Sequence, residues 1–143
     1  MGRRASRELA MKLLYQLEIQ KEDRDEQLKT ALEQEPVNES DKKYIEKVVD
    51  GVFKNCAYLD NLIETHAKGW KLNRISKVDL AILRLGFYEI CYMDDIPYNV
   101  SINEAVELAK KYSGEEAGAF INGILGKVQK GSKNPEDSIQ EEQ

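Results

Sequence analysis

An all-α fold of about seven helices, packed as two small bundles, is what the sequence predicts, and three observations predict it. Apolar residues recur at spacings of three and four along nearly the whole chain, which is the helical period. The three prolines, Pro36, Pro97 and Pro135, fall outside these periodic stretches. The most strand-like pieces, VFK and YNV, are too short and lie against helical patterns.

Taken in order, the first helix is expected over residues 4–20, where Leu9, Ala10, Leu13, Leu14 and Leu17 make one apolar stripe. The polar stretch KEDRDE turns the chain, and Leu28, Ala31 and Leu32 mark a short second helix that ends before Pro36. Ser40 is the expected N-cap of a third helix carrying Ile45, Val48, Val49, Val52, Phe53 and Cys56. The pattern resumes through Leu59, Leu62 and Ile63 and stops near Gly69. In the fifth helix, Ser76-Lys77-Val78-Asp79 reads as a capping box in front of VDLAILRLGFYEICYM. That run is apolar on nearly every face, with Arg84 and Glu89 as exceptions, so it predicts a buried central helix. Ser101-Ile102-Asn103-Glu104 reads as a second capping box after Pro97, and Ser113-Gly114 turns into a last helix with Phe120, Ile121, Ile124 and Leu125. The expected division is an N-terminal bundle over 1–73, a C-terminal bundle over 74–130 and a disordered acidic tail over 131–143.

Composition narrows the function classes. A chain of 143 residues with 41% hydrophobic and 33% charged residues suits a small globular protein of the cytoplasm. No apolar run approaches the ~20 residues of a membrane span. One histidine, His66, expected to be partly buried, and two separated cysteines, Cys56 and Cys91, leave little material for a metal centre or a His-based triad. The carboxylates are dispersed among lysines, and phosphate loops and nucleophile elbows are absent from the sequence. No catalytic residue, metal or cofactor is therefore expected.

One feature runs against a formal net charge of -5: Arg3, Arg4 and Arg7 crowd the start of the first helix. Cations there oppose the helix dipole, which favours an external anion as their reason. At about 100° per residue, Arg4 and Tyr15 point the same way, away from the leucine stripe, while Arg7 lies at the stripe's edge. Guanidinium groups beside an aromatic ring suit single-stranded RNA, pairing phosphates and stacking on an unpaired base. The same residues also fit an ordinary solvated face, because Arg4–Glu8 and Glu8–Lys12 are i,i+4 pairs, or a helical scaffold whose arginines meet an acidic protein. A second basic-aromatic cluster, Lys68, Trp70 and Lys71, sits at an interhelix link, where Trp70 is expected to plug the junction of the bundles. Phe120 is expected to pack on the core, with a stacking platform as the sharper alternative.

Four separated motifs, RRASRELAMKLLYQ, WKLNRISKVDLAILRLGFYEI, IPYNVSINEAVELAKKYS and FINGIL, together resemble the NusB family of bacterial transcription antitermination factors over about residues 3–128. The resemblance implies an all-helical two-bundle fold and binding of the boxA element of nascent RNA. It also implies a small-subunit ribosomal protein acting as NusE, other Nus factors and RNA polymerase as partners, and suppressed termination in ribosomal RNA operons. By that resemblance Arg3, Arg4, Arg7 and Tyr15, with Glu116, Gly118 and Phe120, would serve RNA, and Asp79 and Arg84 the ribosomal protein. Two positions depart from the family pattern. Ala5 and Ala119 stand where relatives often carry a basic residue, implying a weaker electrostatic contribution, for which Lys12, Lys68 or Lys71 would compensate.

Overall fold

The computed structural model describes residues 2–128, so the tail expected over 131–143 lies outside the described residues. Among the described residues there are seven α-helices and no strand: α1 (Arg3–Ile19), α2 (Arg24–Gln34), α3 (Glu39–Lys54), α4 (Cys56–His66), α5 (Lys77–Tyr92), α6 (Tyr98–Tyr112) and α7 (Glu115–Leu125). A 3₁₀ turn, Leu72–Arg74, leads into α5. None of these helices is long and apolar enough to cross a membrane.

The arrangement follows from α5. Every residue from Leu80 to Cys91 is buried, so the helix must be enclosed on all sides, and α1, α3, α4, α6 and α7 pack around it. Phe87, Leu83, Leu85 and Ile90 at its centre join Leu13 and Leu17 of α1, Ile45 of α3, Leu59 of α4 and Leu125 of α7 in one continuous core. The short α2 is attached to α1, with Leu28 as its buried residue.

Helix starts follow elementary hydrogen-bond needs, though not always with the residues the sequence suggests. Ser76 caps α5 as expected, its Oγ accepting from the Asp79 N–H at 3.1 Å. The reciprocal half of that box does not form; Asp79 Oδ1 is buried with no hydrogen-bond partner. Asn38, not Ser40, caps α3, accepting from the Asp41 N–H at 2.8 Å. The second box is also corrected. Pro97, unable to donate, already starts α6 as its N-cap, so Ser101 lies inside the helix and its hydroxyl is free to turn inward.

Two glycines fix close approaches. Gly114, with φ of 115°, makes the sharp turn from α6 to α7 that an L side chain would strain. A Cβ on Gly51 of α3 would stand only 2.2 Å from Cε1 of the Tyr88 ring on α5, so this crossing depends on a bare backbone. Gly51→Ala should therefore lower stability by about 1–2 kcal/mol despite alanine's better helix propensity. Urea unfolding of the two proteins measures it, and an equal or higher midpoint in the variant would refute this packing argument.

Candidate binding face on the first helix

The orientation of α1 about its own axis decides which of its cations reach solvent. Leu13, Leu14 and Leu17 turn it toward the core, and Arg7, two turns before Leu14, turns inward with them. Arg7 is only 4% exposed. Its Nε donates to Glu89 of α5 at 2.7 Å and its Nη2 donates to the same carboxylate at 3.2 Å. Tyr44 Oη of α3 donates to Glu89 at 2.5 Å, and Ser101 Oγ of α6 donates at 2.9 Å. Four helices thus meet on one buried carboxylate. Burial alone would pull the Arg7 guanidinium down, but its bonding to Glu89 outweighs this and holds it above the usual arginine value. Burial, with the Glu89 charge second, pushes the Tyr44 phenol up. Arg7, expected at the edge of the stripe and assigned to RNA by the resemblance, is instead turned inward, and its charge is spent inside the protein.

A mirror-image pair holds the other end of α1. Arg84 of α5 donates through Nη1 to Glu18 of α1 at 2.7 Å, and through Nε and Nη2 to Asp60 of α4 at 2.8 and 3.0 Å. Lys77 reaches Glu18 as well, at 3.4 Å. Arg84 is 7% exposed, so its guanidinium is likewise not displayed to a partner. Burial works to raise the Glu18 carboxyl, yet the Arg84 hydrogen bond and charge hold it below the ordinary value of 4.5.

With Arg7 and Glu18 turned inward, the opposite flank of α1 carries Arg4, Glu8, Lys12 and Tyr15. Arg4 is largely solvent-exposed and donates to Glu104 of α6 at 3.0 and 3.1 Å. Arg3 is exposed and lies over the Tyr44 ring, 4.4 Å from its centroid. Tyr15 is 37% exposed, as its angle predicts. Glu8 joins Lys12 and the end of α6, Lys111 and Tyr112. Of the two i,i+4 pairs expected on this face, Glu8–Lys12 forms at 3.5 Å, while Arg4 takes Glu104 instead.

The second group of sequence-singled residues opens α7. Glu116 is exposed in its first turn. Gly118 is buried against α6, where a Cβ would stand 3.0 Å from Lys110 Cγ. Phe120 packs on the core rim and meets Trp70 edge-on at 5.9 Å. Trp70 is not the plug the sequence suggests: it is 51% exposed, and with Phe120 it makes an aromatic surface pair. Asp79 sits half-buried at the start of α5. Neither Glu89, Tyr44, Ser101, Lys111 nor Tyr112 was singled out by sequence reasoning as part of a site. A signal existed for Glu89, since a lone carboxylate in an all-apolar helix requires a buried cation.

No cluster of histidine, cysteine and carboxylate groups fit for a metal ion occurs among the described residues. Fold and face together give an all-helical module that displays cations and aromatic rings on the outer side of its first helix. Residues 4–130 match the model of the NusB family, and the chain belongs to that family of antitermination factors, which are non-catalytic. It is 63% identical over 141 residues to the transcription antitermination protein NusB of Ruminiclostridium cellulolyticum, covering 99% of this chain and 97% of that one. The protein of the same description from Acetivibrio thermocellus is 69% identical over 130 residues, covering 91% and 90%. Among solved structures, T. maritima NusB superposes with a TM-score of 0.85 at 35% identity, covering 98% of each chain. A structure of antitermination factors NusB and NusE in complex with dsRNA matches with a TM-score of 0.79 at 30% identity, covering 87% of this chain and 92% of that one.

Two predictions test this geometry. Arg7→Ala strands the buried Glu89 charge and should cost about 3 kcal/mol or more, read as a lowered urea midpoint; an unchanged midpoint would contradict the buried pair. Glu8 and Glu18 both titrate below 4.5 in the folded chain, so their stabilisation is complete above that value and is lost as pH falls through the depressed values. Glu18→Gln should therefore flatten the decline of melting temperature with acidification below about pH 4.5.

Proposed function

We propose that this chain is a cytoplasmic RNA-binding antitermination factor, which holds a short single-stranded boxA-type element of nascent RNA on the outer face of α1. The observation that carries the reading is the solvent-facing set Arg3, Arg4, Lys12 and Tyr15 on one rigidly oriented helix, in a family member similar to a NusB found with NusE and dsRNA. Cations pair phosphates, and an accessible phenol ring accepts an unstacked base, which a duplex does not offer. Arg7 acts as a positioning residue here, because it fixes the rotation that points Arg4 and Tyr15 outward. Glu116, Gly118 and Phe120 form the second part of the track: Gly118 lets α7 lie close on α6, and Phe120 backs the more exposed Trp70 ring.

A small-subunit ribosomal protein acting as NusE docks beside the start of α5, where Asp79 carries an unsatisfied buried oxygen. Arg84 supports that region from within by tying α1, α4 and α5 together. The added RNA contacts of the ribosomal protein raise affinity through linkage. The assembled pair joins other Nus factors on RNA polymerase and suppresses termination in ribosomal RNA operons.

Fluorescence anisotropy with a labelled boxA-type oligonucleotide, titrated with salt in the presence and absence of the ribosomal protein, tests the reading. Three exposed cations, Arg3, Arg4 and Lys12, predict a log–log salt slope of about -2 for a single strand. Tyr15→Ala should weaken binding about tenfold, and Arg4→Ala several-fold, with melting temperatures unchanged. Absence of binding even with the ribosomal protein would favour a protein scaffold, and equal competition by duplex RNA would refute single-strand recognition.

A further inference from the structure

The seam between α1 and α6 holds a group of anion donors that the RNA reading does not yet use. Lys111 Nζ lies 3.0 and 3.1 Å from the two oxygens of Glu8, and Lys12 Nζ lies 3.5 Å from one of them. The Tyr112 hydroxyl donates to the same carboxylate. Both ammonium groups also flank the Tyr112 ring, at 5.6 Å for Lys12 and 5.3 Å for Lys111. Two cations and a hydroxyl converge on one carboxylate, so the group carries a surplus positive charge.

That donor set suits any two-oxygen anion of charge minus one, and a phosphodiester has the same two oxygens to offer. Its place supports the match. Glu8 lies one turn after Arg4 and two turns before Tyr15 on the same outer flank of α1, so the donors lie along the line a bound strand would follow. The Glu8 side chain retains 24% exposure, and the lysines 55% and 60%, so the carboxylate can swing into water without opening the core. Exposed ion pairs of this kind are weak enough to exchange. The Tyr112 hydrogen bond is the largest influence on the Glu8 carboxyl; burial opposes it, and the Lys111 hydrogen bond and charge help hold the group below its ordinary value in the free protein.

We propose that Lys12, Lys111 and Tyr112 form a binding site for a backbone phosphate of the RNA, which Glu8 occupies in the free protein and vacates on binding. Glu8 is then an internal competitor that lowers affinity for any polyanion and makes the site selective for strands that also engage Arg4 and Tyr15. The inference rests on the RNA reading above. An anchoring role for Glu8 between α1 and α6 makes the opposite prediction for affinity.

The test measures binding of the boxA-type oligonucleotide to the full chain and to Glu8→Gln. The proposal expects affinity to rise about fivefold in the variant, with the salt slope steeper by about one ion, since no carboxylate must be resolvated. Lys111→Gln should erase that gain when combined with Glu8→Gln. In the unaltered chain, carbon-13 NMR should show the Glu8 carboxyl titrating closer to 4.5 once RNA is bound. Unchanged or weaker binding by Glu8→Gln, or a carboxyl titration indifferent to RNA, overturns the phosphate site while leaving RNA binding intact. Failure of the unaltered chain to bind the RNA at all removes both readings.

Discussion

The structure depends on an exchange of buried charges between α1 and α5. The first helix gives Arg7 to Glu89, and the central helix gives Arg84 to Glu18. Each pair is completed by a third helix or more: Tyr44 and Ser101 satisfy Glu89, and Asp60 shares Arg84. Buried ion pairs add little net stability over apolar contacts of the same volume, but removing one partner is costly. Their worth here lies in orientation. Leucines alone would leave α1 room to roll by some tens of degrees, whereas two ion pairs eleven residues apart on one flank admit a single rotation.

That rotation links the core to the proposed RNA face. Once Arg7 and Glu18 point inward, Arg4, Glu8, Lys12 and Tyr15 must point outward, toward the open side of the α1–α6 seam. The polar residues of α6 then meet them, Glu104 at Arg4 and the Lys111–Tyr112 pair at Glu8. The acidic net charge of the chain is compatible with polyanion binding because Arg3, Arg4, Lys12 and Lys111 gather along the outer side of α1, while Arg7 and Arg84 are consumed inside. Affinity in such a protein is set by which carboxylates sit beside the cations as much as by how many cations there are.

Much of this was legible in the sequence, and the failures have physical reasons. The helical period, the all-apolar α5 and the outward angle of Tyr15 follow from spacing alone, and Ser76 caps where its position says it should. Arg7 could be placed only at the edge of the stripe, because its fate depends on Glu89, eighty-two residues away. Ser101 looked like a cap because sequence cannot show that Pro97 starts the helix a turn earlier and frees the hydroxyl for Glu89. Trp70 looked interior by its size, yet Phe120 gives it an edge to rest on at the surface. Long-range polar pairing defeated the reading; local periodicity did not.

Nitrogen-15 NMR of the arginine Nε–H groups, followed as RNA is added, tests the central claim most directly. The account predicts an Arg7 signal protected from solvent and unmoved by RNA, beside Arg4 and Tyr15 ring signals that shift together. An Arg7 signal that exchanges rapidly with water, or that moves as far as that of Arg4, would show that the helix is not locked and that the outward face is not fixed by the core.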